Sequence, residues 1–132
     1  MSLQSLGLAV KRLQVKHHRT VNAGLAPLGI TIVQWDALRH LDQNPGASLH
    51  DLALLTFQTD QAFGTLAARM ESRGLIERAV GPGRAVRHTL TSKGEELYSR
   101  GGAIVDAVLA ESFAPLGAAD RAQLERLLSA LI

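Results

Sequence analysis

Four cations with no acid among them, Arg78, Arg84, Arg87 and Lys93, fall between Glu77 and Glu95. Guanidinium and ammonium groups bunched in this way suit contact with a polyphosphate. A second group, Gln61, Thr65 and Arg69, recurs every fourth residue, so on a helix these side chains share one face. An amide can pair adenine at two points, a hydroxyl can reach a base or a phosphate, and the methyl of neighbouring Ala68 can touch thymine. Thr59 precedes the same run as an N-cap residue. Asp60 fits the positive end of a helix dipole better than base reading, because phosphates repel a carboxylate.

Other chemistries are poorly provided for. The chain has no cysteine, which excludes disulfides, zinc-thiolate sites and thiol nucleophiles. His17-His18 offers imidazoles for a ligand or metal site, but no third ligand accompanies the pair at a convincing spacing. His40, His50 and His88 are scattered along the chain. Glu95 and Glu96 are adjacent, so on a helix they point about 100° apart and cannot share acid/base work. No phosphate-cradling glycine loop, nucleophile elbow or HExxH is present. The expectation is a protein without catalytic activity, metal or cofactor.

The 132 residues are 46% hydrophobic and 20% charged, the composition of one soluble globular domain. No apolar run reaches the roughly 18 residues of a membrane span, and residues 1–7 lack the marks of a signal peptide, so no membrane partner and a cytoplasmic location are expected. The net charge of +2 hides a strong alternation. Residues 1–35 carry +4, residues 36–68 carry −3, residues 69–100 carry +3, and residues 101–132 carry −2.

Caps and periodicity say which elements position these groups. Leu3, Leu6, Val10 and Leu13 form one helical stripe, while Leu8 and Val15 lie on another face, which predicts a first helix with two partners. Gly24, Pro27 and Gly29 interrupt it. Thr31 with Gln34 has capping-box spacing, and Ile30 with Trp35 has that of a hydrophobic staple, which makes Trp35 a core residue. This second helix stops at Asn44-Pro45-Gly46. Ser48 with Asp51 opens a short third helix whose apolar face is Leu49, Leu52 and Leu55. After Phe57-Gln58, Thr59 opens a fourth, with Phe63, Leu66, Ala67 and Met70 inward and Gly74 ending it. Gly64 inside it implies either a close backbone approach to phosphate or a tight crossing with the third helix. Two helices joined by so short a turn have helix-turn-helix spacing.

The period then changes from 3.6 to 2 through Ile76, Arg78 and Val80, and again through Val86, His88 and Leu90 beyond Gly81-Pro82-Gly83, which reads as a β-hairpin wing. Ser92 with Glu95 suggests a capping box for a long fifth helix carrying Leu97, Ile104, Val105, Val108 and Phe113 inward. A last helix from about Ala118 bears Leu124, Leu127, Leu128, Leu131 and Ile132. That exposed stripe and the apolar first helix are expected to pack across a two-fold axis on a second copy.

In element order, and in the runs Thr31-x-x-Gln34-Trp35-x-x-Leu38, Leu66-x-x-Arg69-Met70-Glu71-x-Arg73-Gly74-Leu75-Ile76, and Arg84-Ala85 followed by Leu90-Thr91-x-x-Gly94, the chain resembles the MarR family of bacterial transcriptional regulators. It departs where Pro82 replaces the usual wing Asp, and where Thr56-Phe57 replaces an apolar residue and Gly at the end of the third helix. The resemblance implies a mainly α fold with a small β-hairpin wing, a winged helix-turn-helix with N- and C-terminal dimerisation helices. Residues 1–132 would form a single domain, with 1–28 and 95–132 as dimerisation helices and 31–94 as the DNA-binding lobe. It further implies a homodimeric repressor of adjacent genes on palindromic double-stranded DNA, released by a small aromatic effector in a cleft where His17, Gln34 and Trp35 are the candidate contacts. Thr59, Gln61, Thr65 and Arg69 would meet the major groove, Arg84 the minor groove, and Arg78, Arg87 and Lys93 phosphates. The neutral recognition face and Pro82 keep one alternative open, a winged-helix adaptor that binds protein and has lost DNA. If DNA is the partner, Arg84→Ala weakens binding to a preferred site by more than about tenfold in an anisotropy titration, and log K falls with log salt. Unchanged affinity removes the wing from the interface.

Overall fold

A computed structural model describes all of the chain except Pro82, Arg84 and Ala85. The elements begin where side chains satisfy the orphan amides of helix starts. Helix α1 (Leu3–Leu25) is capped by the Ser2 hydroxyl, and a 3-10 turn, Ala26–Leu28, follows it. In α2 (Ile32–Gln43) the Thr31 hydroxyl accepts from the Gln34 amide and the Gln34 carbonyl from the Thr31 amide, each at 3.1 Å. Ile30 and Trp35 are both buried beside it, as a staple requires. Ser48 and Asp51 close the same kind of box on α3 (Leu49–Leu55), and Thr59 caps α4 (Asp60–Ser72) at Ala62. Strands β1 (Ile76–Val80) and β2 (Val86–Leu90) pair antiparallel, with Arg78 opposite His88, before α5 (Ser92–Phe113) and α6 (Ala118–Ser129).

Two expectations are corrected. The cap of α5 is Thr91, not Ser92, so Glu95 lies past the capping-box position. Thr91 wins because its hydroxyl accepts from the Gly94 amide at 3.1 Å while donating to the Gly74 carbonyl at 2.6 Å, a tertiary bond that Ser92 does not make. Leu55 is 38% exposed, because the inward face of α3 runs through Leu52 and Ala53 instead.

The core lies where α2, α4, the hairpin base and the middle of α5 converge. Phe63, Leu38, Leu52, Met70, Leu75 and Ile76 are essentially inaccessible, and each such side chain contributes roughly 1.5–3 kcal/mol relative to exposure. From α1 only Val21 and Leu25 are buried, so its stripe of Leu3, Leu6, Val10 and Leu13 faces outward. Helix α6 buries nothing, and Leu127, Leu128, Leu131 and Ile132 are exposed. Among the described residues no single helix is long and apolar enough to cross a membrane.

Close crossings depend on absent side chains. A Cβ on Gly94 would overlap the Leu75 carbonyl, and one on Gly101 would come within 2.6 Å of Trp35 Cδ1. Gly64 has open space in that direction, so the tight crossing with the third helix does not exist. Gly94→Ala is therefore expected to lower stability by about 3 kcal/mol in denaturant titration, whereas Gly64→Ala raises it by up to about 1 kcal/mol. Equal effects at the two positions would contradict this packing.

Candidate nucleic-acid interface

Burying Phe63, Ala67 and Met70 leaves Gln61, Thr65, Ala68 and Arg69 together on the exposed face of α4, as their spacing predicts. The Thr59 hydroxyl oxygen accepts from the Ala62 amide, which leaves its proton free to donate to an anion. Thr65 is committed differently, since its hydroxyl donates to the Gln61 carbonyl at 3.1 Å. Its lone pairs are what it offers outward. Between them Gly64 leaves the backbone accessible to a close neighbour from outside the chain.

The start of α4 carries a pair that the sequence did not reveal. His50 on α3 donates its Nδ1 hydrogen to Asp60 at 2.9 Å, across two exposed side chains. That hydrogen bond, and then the Asp60 charge, raise the His50 pKa above its ordinary 6.5. Asp60 thus answers both the helix dipole and an imidazolium. Nearby, the Ser48 amide and then its hydroxyl hold the Asp51 carboxyl below the usual range, with a smaller contribution from Arg87.

Among the described residues, Arg78 and Arg87 do not share a face. Antiparallel pairing puts Arg78 on the face of Ile76 and His88, and puts Arg87 with Glu77 and Thr89 on the other. Arg87 is half-buried and donates to the Val86 carbonyl at 3.0 Å. Burial lowers the His88 pKa, so the inner face of the hairpin carries a neutral imidazole beside Arg78. Lys93 donates to the Arg73 carbonyl at 3.1 Å, a cation on the C-terminus of α4. Arg73, which sequence reasoning passed over, donates to Gln34 Oε1 at 3.3 Å. Arg84 lies outside the described residues.

A cleft of about 1120 Å³ opens between α1, α2, α5 and the turn from α3 to α4. His17 and Trp35 line it, but Gln34 does not, because its carbonyl serves the α2 cap and Arg73. His17 shares a 2.6 Å hydrogen bond with Ser112 and meets the edge of Phe113. Trp35 donates its indole N–H to the Tyr98 carbonyl at 3.1 Å, and the Arg39 guanidinium stands 6.0 Å over its ring. At the mouth, Phe57 is 96% exposed with φ +58°. The Gln58 amide donates to Ala53 O and the Phe57 amide to Leu54 O, a Schellman ending that demands a left-handed residue. The same bonds close α4 around Gly74, which adopts that shape freely, whereas Phe at such a position costs about 1 kcal/mol.

A model of the MarR family matches residues 28–85. The HTH-type transcriptional repressor Rv2887 of Mycobacterium tuberculosis is 35% identical over 128 residues, spanning 96% of this chain and 92% of that relative. The solved structure of Rv2887 with p-aminosalicylic acid superposes with a TM-score of 0.80 at 34% identity, covering 96% of this chain and 97% of that one. Its complex with DNA gives 0.78 at 32% identity, covering 96% of each. A mutant MarR from E. coli complexed with operator DNA gives 0.89 at 26% identity, covering 97% and 94%.

The His50–Asp60 pair has a definite pH signature. Because the folded-state pKa of His50 is raised, its stabilisation is fully present below the unfolded value and disappears as pH rises through the folded one. The thermal midpoint of the wild type should exceed that of His50→Gln at about pH 5.5 and converge with it by about pH 8.5. A pH-independent difference would show that the pair is not ionic.

Proposed function

The chain belongs to the MarR family, and from that premise we propose that it is a sequence-specific DNA-binding transcriptional repressor acting as a homodimer. The observation that carries this reading is the exposed face of α4, where Gln61, Ala68 and Arg69 stand clear of the core beside a β-hairpin. A helix of that kind fits the major groove, with Thr59 and Gly64 near enough to its leading turn to meet phosphates. Arg69 and Arg78 supply charge from α4 and the hairpin, and Lys93 keeps two further ammonium hydrogens for phosphate while capping α4. The Rv2887 and E. coli MarR complexes with DNA support the same use of the fold.

Residues 31–94 act in this reading as the DNA-binding lobe, and 1–28 with 95–132 as the dimerising helices. The exposed leucines of α1 and α6 support that division, since a stripe of that extent calls for a second copy. Two lobes related by a two-fold axis read a palindrome with half-sites about one helical turn apart. The cleft takes a small aromatic effector, with His17 and Trp35 as contacts and Gln34 left to its structural role. Complexes of Rv2887 with salicylic and p-aminosalicylic acids support that use. The family is one of transcriptional regulators, not an enzyme class, and this member works without catalysis, on DNA in the cytoplasm.

Selection from a random duplex pool by the purified protein tests the reading. An enriched palindrome is expected, with Arg69→Ala weakening its binding about tenfold or more. A pool that stays unenriched even at low salt overturns the reading in favour of a protein-binding adaptor.

A further inference from the structure

Phe57 meets two independent penalties. Its backbone is held left-handed by the Schellman bonds that end α3, and it is the one non-glycine residue with positive φ among the described residues. Its ring is 96% exposed although the core lies close behind at Leu52 and Ala53. Glycine would remove both, as it does at Gly74 in the equivalent turn after α4. Contacts within the chain do not explain the phenylalanine. Its position does, because Thr56, Phe57 and Gln58 form one wall of the cleft, opposite residues of α1 and α5.

We propose that Phe57 is the clamp of the cleft, closing its ring on the face of a planar aromatic ligand and so fixing the turn that leads into α4. This rests on the reading of the cleft as the effector site. The rest of the lining suits such a ligand: Val21, Val33 and Leu109 are apolar, and Trp35 adds an aromatic surface. Arg39 supplies a guanidinium with no carboxylate partner among the described residues. Of the two acids in the cleft, Asp36 lies 3.5 Å from His40 and Asp106 belongs to α5. Only Gln58 separates Phe57 from Thr59, the N-cap of α4, so a ligand held by the ring is anchored two residues from the start of the helix that carries Gln61. Ligand binding and groove reading thereby share one hinge.

Salicylate is the probe, and the test uses the full chain. Because Trp35 is the only tryptophan, its single indole N–H resonance reports whether salicylate occupies the cleft, while calorimetry gives Kd. Phe57→Gly should bind salicylate about fivefold to tenfold more weakly, with Phe57→Leu between it and the wild type. The glycine variant should melt a few degrees higher without ligand. When salicylate is added it should release the selected palindrome less readily than the wild type does, each measured against its own ligand-free affinity. If the wild type shifts the Trp35 signal and Phe57→Gly binds equally well, the clamp is overturned while the effector site stands. If salicylate leaves the wild-type Trp35 signal unmoved, both fall. A changed oligomeric state in ligand-free Phe57→Gly also overturns the clamp, assigning the ring to a second copy.

Discussion

Thr91 and the carbonyls of Gly74 and Leu75 hold four elements at one point. Its hydroxyl donates to Gly74 O where α4 ends, its amide donates to Leu75 O where β1 begins, and its hydroxyl accepts the Gly94 amide in the first turn of α5 just after β2. Gly94 lets the α5 backbone rest on the Leu75 carbonyl with no side chain between. The exposed face of α4 and the root of the hairpin are therefore set against α5 by backbone contacts, which tolerate little adjustment. Lys93, reaching the Arg73 carbonyl, adds a charged contact at the same corner.

A second fixed point lies at Trp35. Its indole bonds to the Tyr98 carbonyl, its ring fills the space left by Gly101, and Ile30 packs beside the start of its helix. Together these contacts tie α2, the end of α4, the root of the hairpin and the first half of α5 to one another. The turn from α3 to α4 is held differently. It is closed by the Schellman bonds of α3 and bridged by the exposed His50–Asp60 pair, and the core reaches it through Leu52, Ala53 and Phe63. The cleft has this turn as part of its wall, next to the start of α4.

Much of this was legible because caps are local. Thr31 with Gln34, Ser48 with Asp51, and Thr59 each satisfy amides within three residues, so residue type and spacing sufficed, and the exposed face of α4 followed from its period. Thr91 was misjudged because the two adjacent hydroxyls fit similar patterns and the deciding bond comes from Gly74, 17 residues away. His50 and Asp60 are ten residues apart on different helices, and nothing in their types announces the contact. Gln34 looked like a cleft residue, but its second bond, to Arg73, depends on how α2 and α4 cross. The left-handed Phe57 contradicts its residue type, and such conflicts arise where a local rule yields to another demand. Arg78 and Arg87 look like a single basic run in sequence, but strand alternation sends them to opposite faces.

The bare α6 makes the state of the chain depend on how much of it there is. A helix of 12 residues that buries none of them is marginal in water, and in the homodimer proposed above another protomer would cover it. At low abundance an unpaired chain would then keep α6 uncovered and open to proteolysis. In the homodimer proposed above, loss of DNA binding on dilution would therefore be steeper than DNA affinity alone dictates, because dissociation of the protomers also uncovers α6.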